Sequence, residues 1–177
     1  MPYETIYSFI GNGVRPLLTR ALNGANVCSI SDAIEIFIGY YDDRLLDTSN
    51  FYPNCRDTLD FFSNKTLSIC SNKPGRFIKK ILSELDSLDK FSTIVGGDDL
   101  ETKKPDPRGL LKILSDNGVL PNEALMVGDN PVDIETGRNA KVLTCAVTYG
   151  LSDRKSLEDE QPDLMIDDIS ELKHQFC

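Results

Sequence analysis

Three short stretches of this chain place polar side chains just behind an apolar run and just ahead of a proline: Cys70-Ser71-Asn72-Lys73-Pro74, Lys104-Pro105-Asp106-Pro107 and Gly128-Asp129-Asn130-Pro131. Proline suits the first turn of a helix, where its missing N–H is no loss, and Asp106 and Asn130 are natural N-caps. Each stretch therefore reads as a strand-to-helix junction. In an open parallel sheet such junctions collect at the carboxyl ends of the strands, where free backbone N–H groups at helix starts attract anions. The chemistry to expect there is recognition of a phosphate or a carboxylate.

Asp129 and Asp133 stand four residues apart, so a helix starting at Pro131 brings both carboxylates toward one pocket. Paired hard oxygen ligands suit Mg²⁺, which takes few carboxylates and leaves its other positions to water and substrate phosphate. Ordinary capping explains the same two acids, because the helix macrodipole favours Asp in the first turn. Lys104 is biased toward extended backbone by Pro105. A lysine held there neutralises a phosphate or a clustered acid; a solvated loop charge is the competing reading.

The elements that must position these residues are legible in the spacing of apolar side chains. From about Leu67 onward, short runs (Leu67–Cys70, Thr93–Val95, Ala124–Val127, Val142–Thr148 and Leu164–Ile166) alternate with stretches of helical period. Phe77, Ile78, Ile81, Leu82, Leu85 and Leu88 form one apolar helix face, and Leu110, Leu111, Ile113 and Leu114 another. These leucines are expected in the core. The alternation predicts an α/β fold with a Rossmann-like parallel sheet. Residues 1–50 differ: Val14, Leu17, Leu18, Ala21 and Leu22, then the run Ala33 to Tyr41, give helices with no strand signal between them. The expected division is a helical module over 1–50 and a sheet domain over 51–177, with the turn formers of 47–54 between them.

Composition narrows the function classes. The 177 residues are 40% hydrophobic and 27% charged, as expected of a globular chain. Nineteen Lys and Arg against 28 Asp and Glu leave a formal charge of −9, which argues against a nucleic-acid partner met by a basic surface. No apolar run approaches the roughly 18 residues of a membrane span, and the first residues carry no signal-peptide pattern, so no membrane partner and a cytoplasmic location are expected. Cys28, Cys55, Cys70, Cys145 and Cys177 have no Cys-x-x-Cys spacing and read as reduced thiols. His174 is the single histidine and sits near the end, away from every motif. Gly11-Asn12-Gly13 does not open a dinucleotide fingerprint, because Pro16 stands where the third glycine belongs. A phosphorylatable signalling receiver is excluded by order, since its acids should precede the lysine that here precedes Asp129 and Asp133.

Ser71-Asn72-Lys73-Pro74, Lys103-Lys104-Pro105-Asp106-Pro107 and Met126-Val127-Gly128-Asp129-Asn130-Pro131-Val132-Asp133 resemble, in order and spacing, motifs II, III and IV of the haloacid dehalogenase-like phosphatases, in the phosphoglycolate phosphatase-like subgroup. The resemblance covers nearly the whole chain. It implies a haloacid dehalogenase-like core with a partial helical cap, and a Mg²⁺-dependent phosphatase acting on a small phosphorylated metabolite. It makes Ser71 a hydrogen-bond donor to the phosphoryl group with Asn72 beside it, and Lys104 the charge that steadies nucleophile and phosphate. Asp129 becomes the Mg²⁺ ligand and Asp133 a second acid holding the metal shell or its water. In the cap, Gly11, Asn12, Gly13 and Arg15 fall near the leaving-group end of the substrate.

One departure bears on mechanism. The family's first motif is a strand ending in Asp-x-Asp-x-Thr, whose first Asp attacks phosphorus to give an aspartyl-phosphate; no Asp-x-Asp occurs anywhere in this sequence. Asp42-Asp43, Asp98-Asp99 and Asp167-Asp168 are adjacent pairs, which on a strand point to opposite faces. The expectation is a form truncated at its amino terminus, lacking a strand and helix of about thirty residues, and inactive for want of the nucleophile. In the family that strand lies between the ones ending here at Ser71 and Asp129, so the sheet is expected to be incomplete between them. The competing reading is a non-catalytic remnant or anion-binding module.

Overall fold

The computed structural model describes residues 2–23, 25 and 29–176; Cys28 and Cys177 lie outside the described residues. Three helices come first: α1 (Tyr3–Tyr7), α2 (Val14–Leu22) and α3 (Ile30–Arg44). Helix α3 begins where the sequence supplies a capping box, with the Ser29 hydroxyl accepting from the Asp32 N–H at 3.1 Å and the Asp32 carboxylate accepting from the Ser29 N–H at 3.3 Å. Helix α2 ends on Asn23 in the left-handed region, a common helix stop. A short helix that the sequence pattern did not announce, α4 (Cys55–Phe61), follows the turn-rich segment.

The expected strands are all present as β1 (Ser68–Cys70), β2 (Thr93–Val95), β3 (Leu125–Gly128), β4 (Leu143–Val147) and β5 (Leu164–Ile166), every pairing parallel. The helices between and after them are α5 (Gly75–Glu84), α6 (Arg108–Asn117), α7 (Pro131–Ala140), α8 (Arg154–Asp159) and α9 (Leu172–Gln175). The strands do not form one sheet. Among the described residues β1 pairs only with β2, and β3, β4 and β5 form a separate three-stranded sheet in that order. The break lies where sequence reasoning expected the sheet to be incomplete.

Helices bridge that break. α6 packs on β1 and β2, α7 packs on β3 and β4, and α6 and α7 pack on each other, so one helical layer spans both half-sheets. Its apolar contact is the cluster Leu110, Leu114, Met126, Ala140 and Val142, with Cys70 of β1 packed against it. A two-stranded sheet has little stability of its own and needs such a cover. Leu111 is a correction to the expected core: it stands 42% exposed, because α6 turns only Leu110, Ile113 and Leu114 inward. Across β4, Cys145 is fully buried and burial pushes its thiol up to about 11.

Helix α3 is seated on α5, and α2 packs on α3. The ring of Tyr41 stacks on Phe37 and meets Phe77 edge-on at 5.2 Å, and Lys80 reaches Asp42 at 2.5 Å. Phe77 is 1% exposed and is shared by both sides of this contact. Phe77→Ala should therefore lower stability by about 3–5 kcal/mol, the usual cost of emptying a buried aromatic site. Lys80→Met, at a half-exposed ion pair, should change it by less than about 1 kcal/mol. Urea unfolding of the two variants gives both values, and equal effects would show that the aromatic contact does not carry the seat.

Candidate active site

The three junctions fold as their sequences direct, with small differences in where each helix starts. After β3, Asn130 is the N-cap of α7: its side chain accepts from the Val132 N–H at 3.1 Å, Pro131 is the first helical residue, and Asp133 closes a capping box by accepting from the Asn130 N–H at 3.2 Å. Pro74 and Pro107 sit one residue earlier, at the boundaries of α5 and α6. Asp106 still accepts from the Arg108 N–H at 2.9 Å, and the Arg108 guanidinium holds its carboxyl down to about 2. The acids Asp98 and Asp99 serve backbone amides, accepting from Gly75 and Gly96 at 2.7 Å each.

Lys104 joins the two half-sheets. It leaves the loop after β2, and its ammonium lies 2.5 Å from Asp133 Oδ1 on the β3 side, with both side chains nearly buried. Its backbone is held from the β1 side by Asn72, whose Oδ1 accepts from the Lys104 N–H at 2.8 Å. The Asn72 amide nitrogen donates to the carbonyls of Lys104 at 3.1 Å and Gly11 at 2.9 Å. The opposite amide orientation would set an oxygen against two carbonyl oxygens, so the network specifies which way Asn72 points. At 5% exposure this side chain is spent on positioning. Ser71 donates its N–H to Val95 at 2.9 Å, and its hydroxyl oxygen accepts from the Lys73 N–H at 3.1 Å, which leaves its O–H to donate elsewhere. Ser71, Asn72, Lys103 and Lys104 line one small cleft. A larger groove of about 420 Å³, lined by Asn122, Arg138, Lys141 and Gln161, lies at the amino ends of β3, β4 and β5, remote from these groups.

Asp129 is oriented by the loop after β4. Its Oδ2 accepts from the Leu151 N–H at 2.9 Å. Gly150 permits that approach, since a methyl group there would fall 2.1 Å from Asp129 Cβ. Oδ1 of Asp129 has no partner among the described residues. Asp133 is different, with one oxygen on Lys104 and the other on the Asn130 N–H. No group of three acidic, histidine or cysteine side chains placed to hold a metal occurs among the described residues. The donor set suits a cation that keeps most of its water and takes one protein carboxylate plus substrate oxygens, as Mg²⁺ does. It does not suit an ion that needs a full protein cage. Nearby, burial together with Cys55, Asp168 and Asp129 raises the Tyr149 phenol, which stays protonated.

The loop before α2 crosses the same edge. Gly11 and Gly13 have φ of +118° and +92°, a region that side-chain-bearing residues rarely adopt. A Cβ on Gly11 would stand 2.8 Å from the Asn130 side-chain nitrogen, and one on Gly13 3.0 Å from Lys103 Nζ. The loop thus touches the junctions after β1, β2 and β3 together, with Asn12 between its two contact points. Arg15 is exposed in the first turn of α2. Asn130 is read from sequence as an N-cap and Lys103 only as part of a motif; that Gly11 and Gly13 would approach these two side chains had no signal in the sequence. His174 is exposed on α9 and takes no part.

Removing one member of a buried ion pair strands its partner, so Lys104→Met should cost about 3–5 kcal/mol in urea unfolding. Adding Asp133→Asn keeps the capping acceptor while removing the stranded charge, and should recover at least half of that loss. A double variant no more stable than Lys104→Met would show that the pair is not coupled.

Comparison with known proteins agrees with this geometry. The family profile described as haloacid dehalogenase-like hydrolase matches residues 1–147. The phosphoglycolate phosphatase of Pseudomonas putida KT2440 is 33% identical over 176 residues, covering 96% of this chain and 65% of the relative. That of Psychrobacter arcticus is 35% identical over 181 residues, covering 97% and 79%. The chain thus spans just under two thirds of the length of the Pseudomonas relative. Among solved structures, a predicted phosphoglycolate phosphatase from Haemophilus somnus 129PT superposes with a TM-score of 0.91 at 26% identity, covering 99% of this chain and 83% of that one. A haloacid dehalogenase-like family protein of Streptococcus pneumoniae shares the fold, with a TM-score of 0.86 at 22% identity over 100% of this chain and 82% of its own. With motifs II, III and IV converging on one edge of a parallel α/β fold, this chain belongs to the haloacid dehalogenase-like hydrolases, in their phosphoglycolate phosphatase-like group.

Proposed function

We propose that this chain carries the phosphate-handling and metal-binding part of a Mg²⁺-dependent phosphomonoesterase of the phosphoglycolate phosphatase type. Its substrate is a small phosphorylated metabolite and its setting the cytoplasm, to which the unpaired thiols of Cys55, Cys70 and Cys145 are suited. The observation that carries the reading is the Lys104–Asp133 pair, fixed from one side by Asn72 and from the other by the α7 capping box. A cation held so firmly at strand ends is preorganised for charge on a transferring group and needs no rearrangement as that charge develops.

The roles follow from what each side chain has left to offer. Ser71 offers its hydroxyl proton to a phosphoryl oxygen, Lys104 counters phosphoryl charge, and Asn72 sets the position of Lys104. Asp129 would hold Mg²⁺ through its unengaged oxygen, and Asp133 orients Lys104 and would support the metal's bound water. Mg²⁺, when bound, would neutralise charge on the phosphoryl oxygens. Residues 1–50 act as part of a helical cap over the 51–177 core, with Gly11, Asn12, Gly13 and Arg15 at the leaving-group end.

The covalent step of this reading needs a carboxylate that no Asp-x-Asp in the sequence supplies. The open edges of β1 and β3 suit an added parallel strand that would bring one. The second reading, a non-catalytic remnant or anion-binding module, is favoured by the same missing pattern. Adding an amino-terminal strand and helix with the pattern Asp-x-Asp-x-Thr separates the two. The chain as given should have no Mg²⁺-dependent turnover of 2-phosphoglycolate. The extended protein should melt higher, since a strand between β1 and β3 gains two ladders of hydrogen bonds and buries apolar area at roughly 25 cal/mol per Å². It should also hydrolyse the ester. Changing the first Asp of the added pattern to Asn should remove activity and keep the gain in melting temperature, while Asp129→Ala should abolish turnover. A protein that melts higher but stays inert would replace the phosphatase reading with the remnant.

A further inference from the structure

Helix α3 carries apolar residues on two neighbouring ridges, and the fold uses one of them. Ala33, Phe37, Tyr41 and Leu45 stand four apart: Ala33 and Leu45 are buried, and Tyr41 stacks on Phe37 and meets Phe77 of α5. The ridge one residue earlier reads Asp32, Ile36, Tyr40, Arg44, again four apart and so on one line along the helix. All four are exposed, Ile36 at 57% and Tyr40 at 69%. An isolated exposed isoleucine is ordinary, but an isoleucine next to a tyrosine, with a charge at either end, has the make-up of a small interface with an apolar centre and a polar rim. The Arg44 guanidinium has no ion-pair or hydrogen-bond partner among the described residues. Gly39, beside Tyr40, stands inside the helix where alanine would be the better helix former, and a Cβ there would meet nothing within 4 Å. Within one chain that glycine contributes no contact; against a partner it leaves room beside the Tyr40 ring.

We propose that this ridge pairs two copies of the chain, α3 lying antiparallel on α3 about a two-fold axis at the level of Ile38. Positions 32 and 44 are equally spaced about 38, and so are 36 and 40. The axis therefore sets Asp32 of one copy against Arg44 of the other and Ile36 against Tyr40, each pairing made twice, as an isologous contact requires. This self-complementarity is what selects a second copy as the occupant: an acid, an apolar pair and a base in line fit their own reverse, whereas a parallel arrangement would set like charge on like. The formal charge of −9 repels one copy from another in general, so association falls where opposite charges are placed to meet. One face of a 15-residue helix offers less than the roughly 1,200 Å² of a standard interface, which makes the dimer weak and concentration-dependent. The contacts of α3 with α5 lie on the other ridge and are left as they are. The proposal does not depend on the phosphatase reading.

The test is sedimentation velocity over rising concentrations of the whole chain, up to roughly 0.5 mM, where a monomer–dimer equilibrium should be seen. Asp32→Arg sets guanidinium against guanidinium at both ends of the contact, and Arg44→Asp sets carboxylate against carboxylate. Each should weaken self-association by roughly tenfold or more. Mixed in equal amounts, the two variants should form a heterodimer, because every charge pairing between them is then opposite, and the variant carrying both changes should pair with itself again. Asp32 also accepts from the Ser29 N–H at the start of α3, so urea unfolding checks that its variant folds. Tyr40→Ser lies outside that cap and should abolish the dimer with the fold intact, which keeps the test open should Asp32→Arg unfold. A chain that stays monomeric throughout, a dimer untouched by Arg44→Asp and Tyr40→Ser, or folded single variants that remain apart when mixed would each overturn the proposal.

Discussion

The ion pair between Lys104 and Asp133 is the interaction on which the carboxyl edge depends. A lysine and an aspartate taken out of water lose hydration that their mutual attraction regains only with close geometry and further hydrogen bonds. Both conditions are met: Asp133 is also a capping residue of α7, and the Lys104 backbone is clasped by Asn72. The pair therefore does more than neutralise two charges. It ties the loop after β2 to the helix after β3, across the line where the strands do not pair.

That line gives the molecule its character. Parallel strands normally have ladder partners on both sides and helices on both faces, and here β1 and β3 each lack one lateral neighbour. The half-sheets are joined by the α6–α7 layer, by the Lys104–Asp133 pair, and by the Gly11–Gly13 loop that reaches Asn72 on one side and Asn130 on the other. Arg56 to the Leu85 carbonyl and Lys90 to Asp60 tie α4 to the β1–β2 side elsewhere, while the Lys104–Asp133 pair and the loop contacts lie at one edge, the edge that carries the motifs. Stability and site geometry are thus coupled, and a change in any of these side chains acts on both.

Asp129 illustrates how a carboxylate oxygen is kept open in so connected a cluster. One of its oxygens is anchored by a backbone amide, which cannot rotate away, and the other is left open. Asp133, four residues on and identical in chemistry, has both oxygens committed. Two carboxylates of one motif are given different work by their neighbours.

The sequence by itself determined the strands, the longer helices, the order of the junctions and the family. These follow from local rules: apolar period, proline at helix starts, and capping residues within three positions of their targets. The capping box at Ser29 and the Asn130 cap could be read in this way. So could the break in the sheet, which falls between the strands ending at Ser71 and Asp129. Leu111 could not, since a helix with adjacent leucines does not announce how wide its buried face will be. Nor could the pairing of Lys104 with Asp133, which are 29 residues apart; Lys73 and Lys103 compete for the acid, and many other acids compete for the lysine. Only the tertiary structure decided which ammonium met which carboxylate, that Leu151 would hold Asp129, and that Lys103 would stand against the loop at Gly13. Hydrogen bonds and ion pairs act over a few ångströms, and separations of that size are set by the packing of whole elements rather than by the residues beside them in the chain.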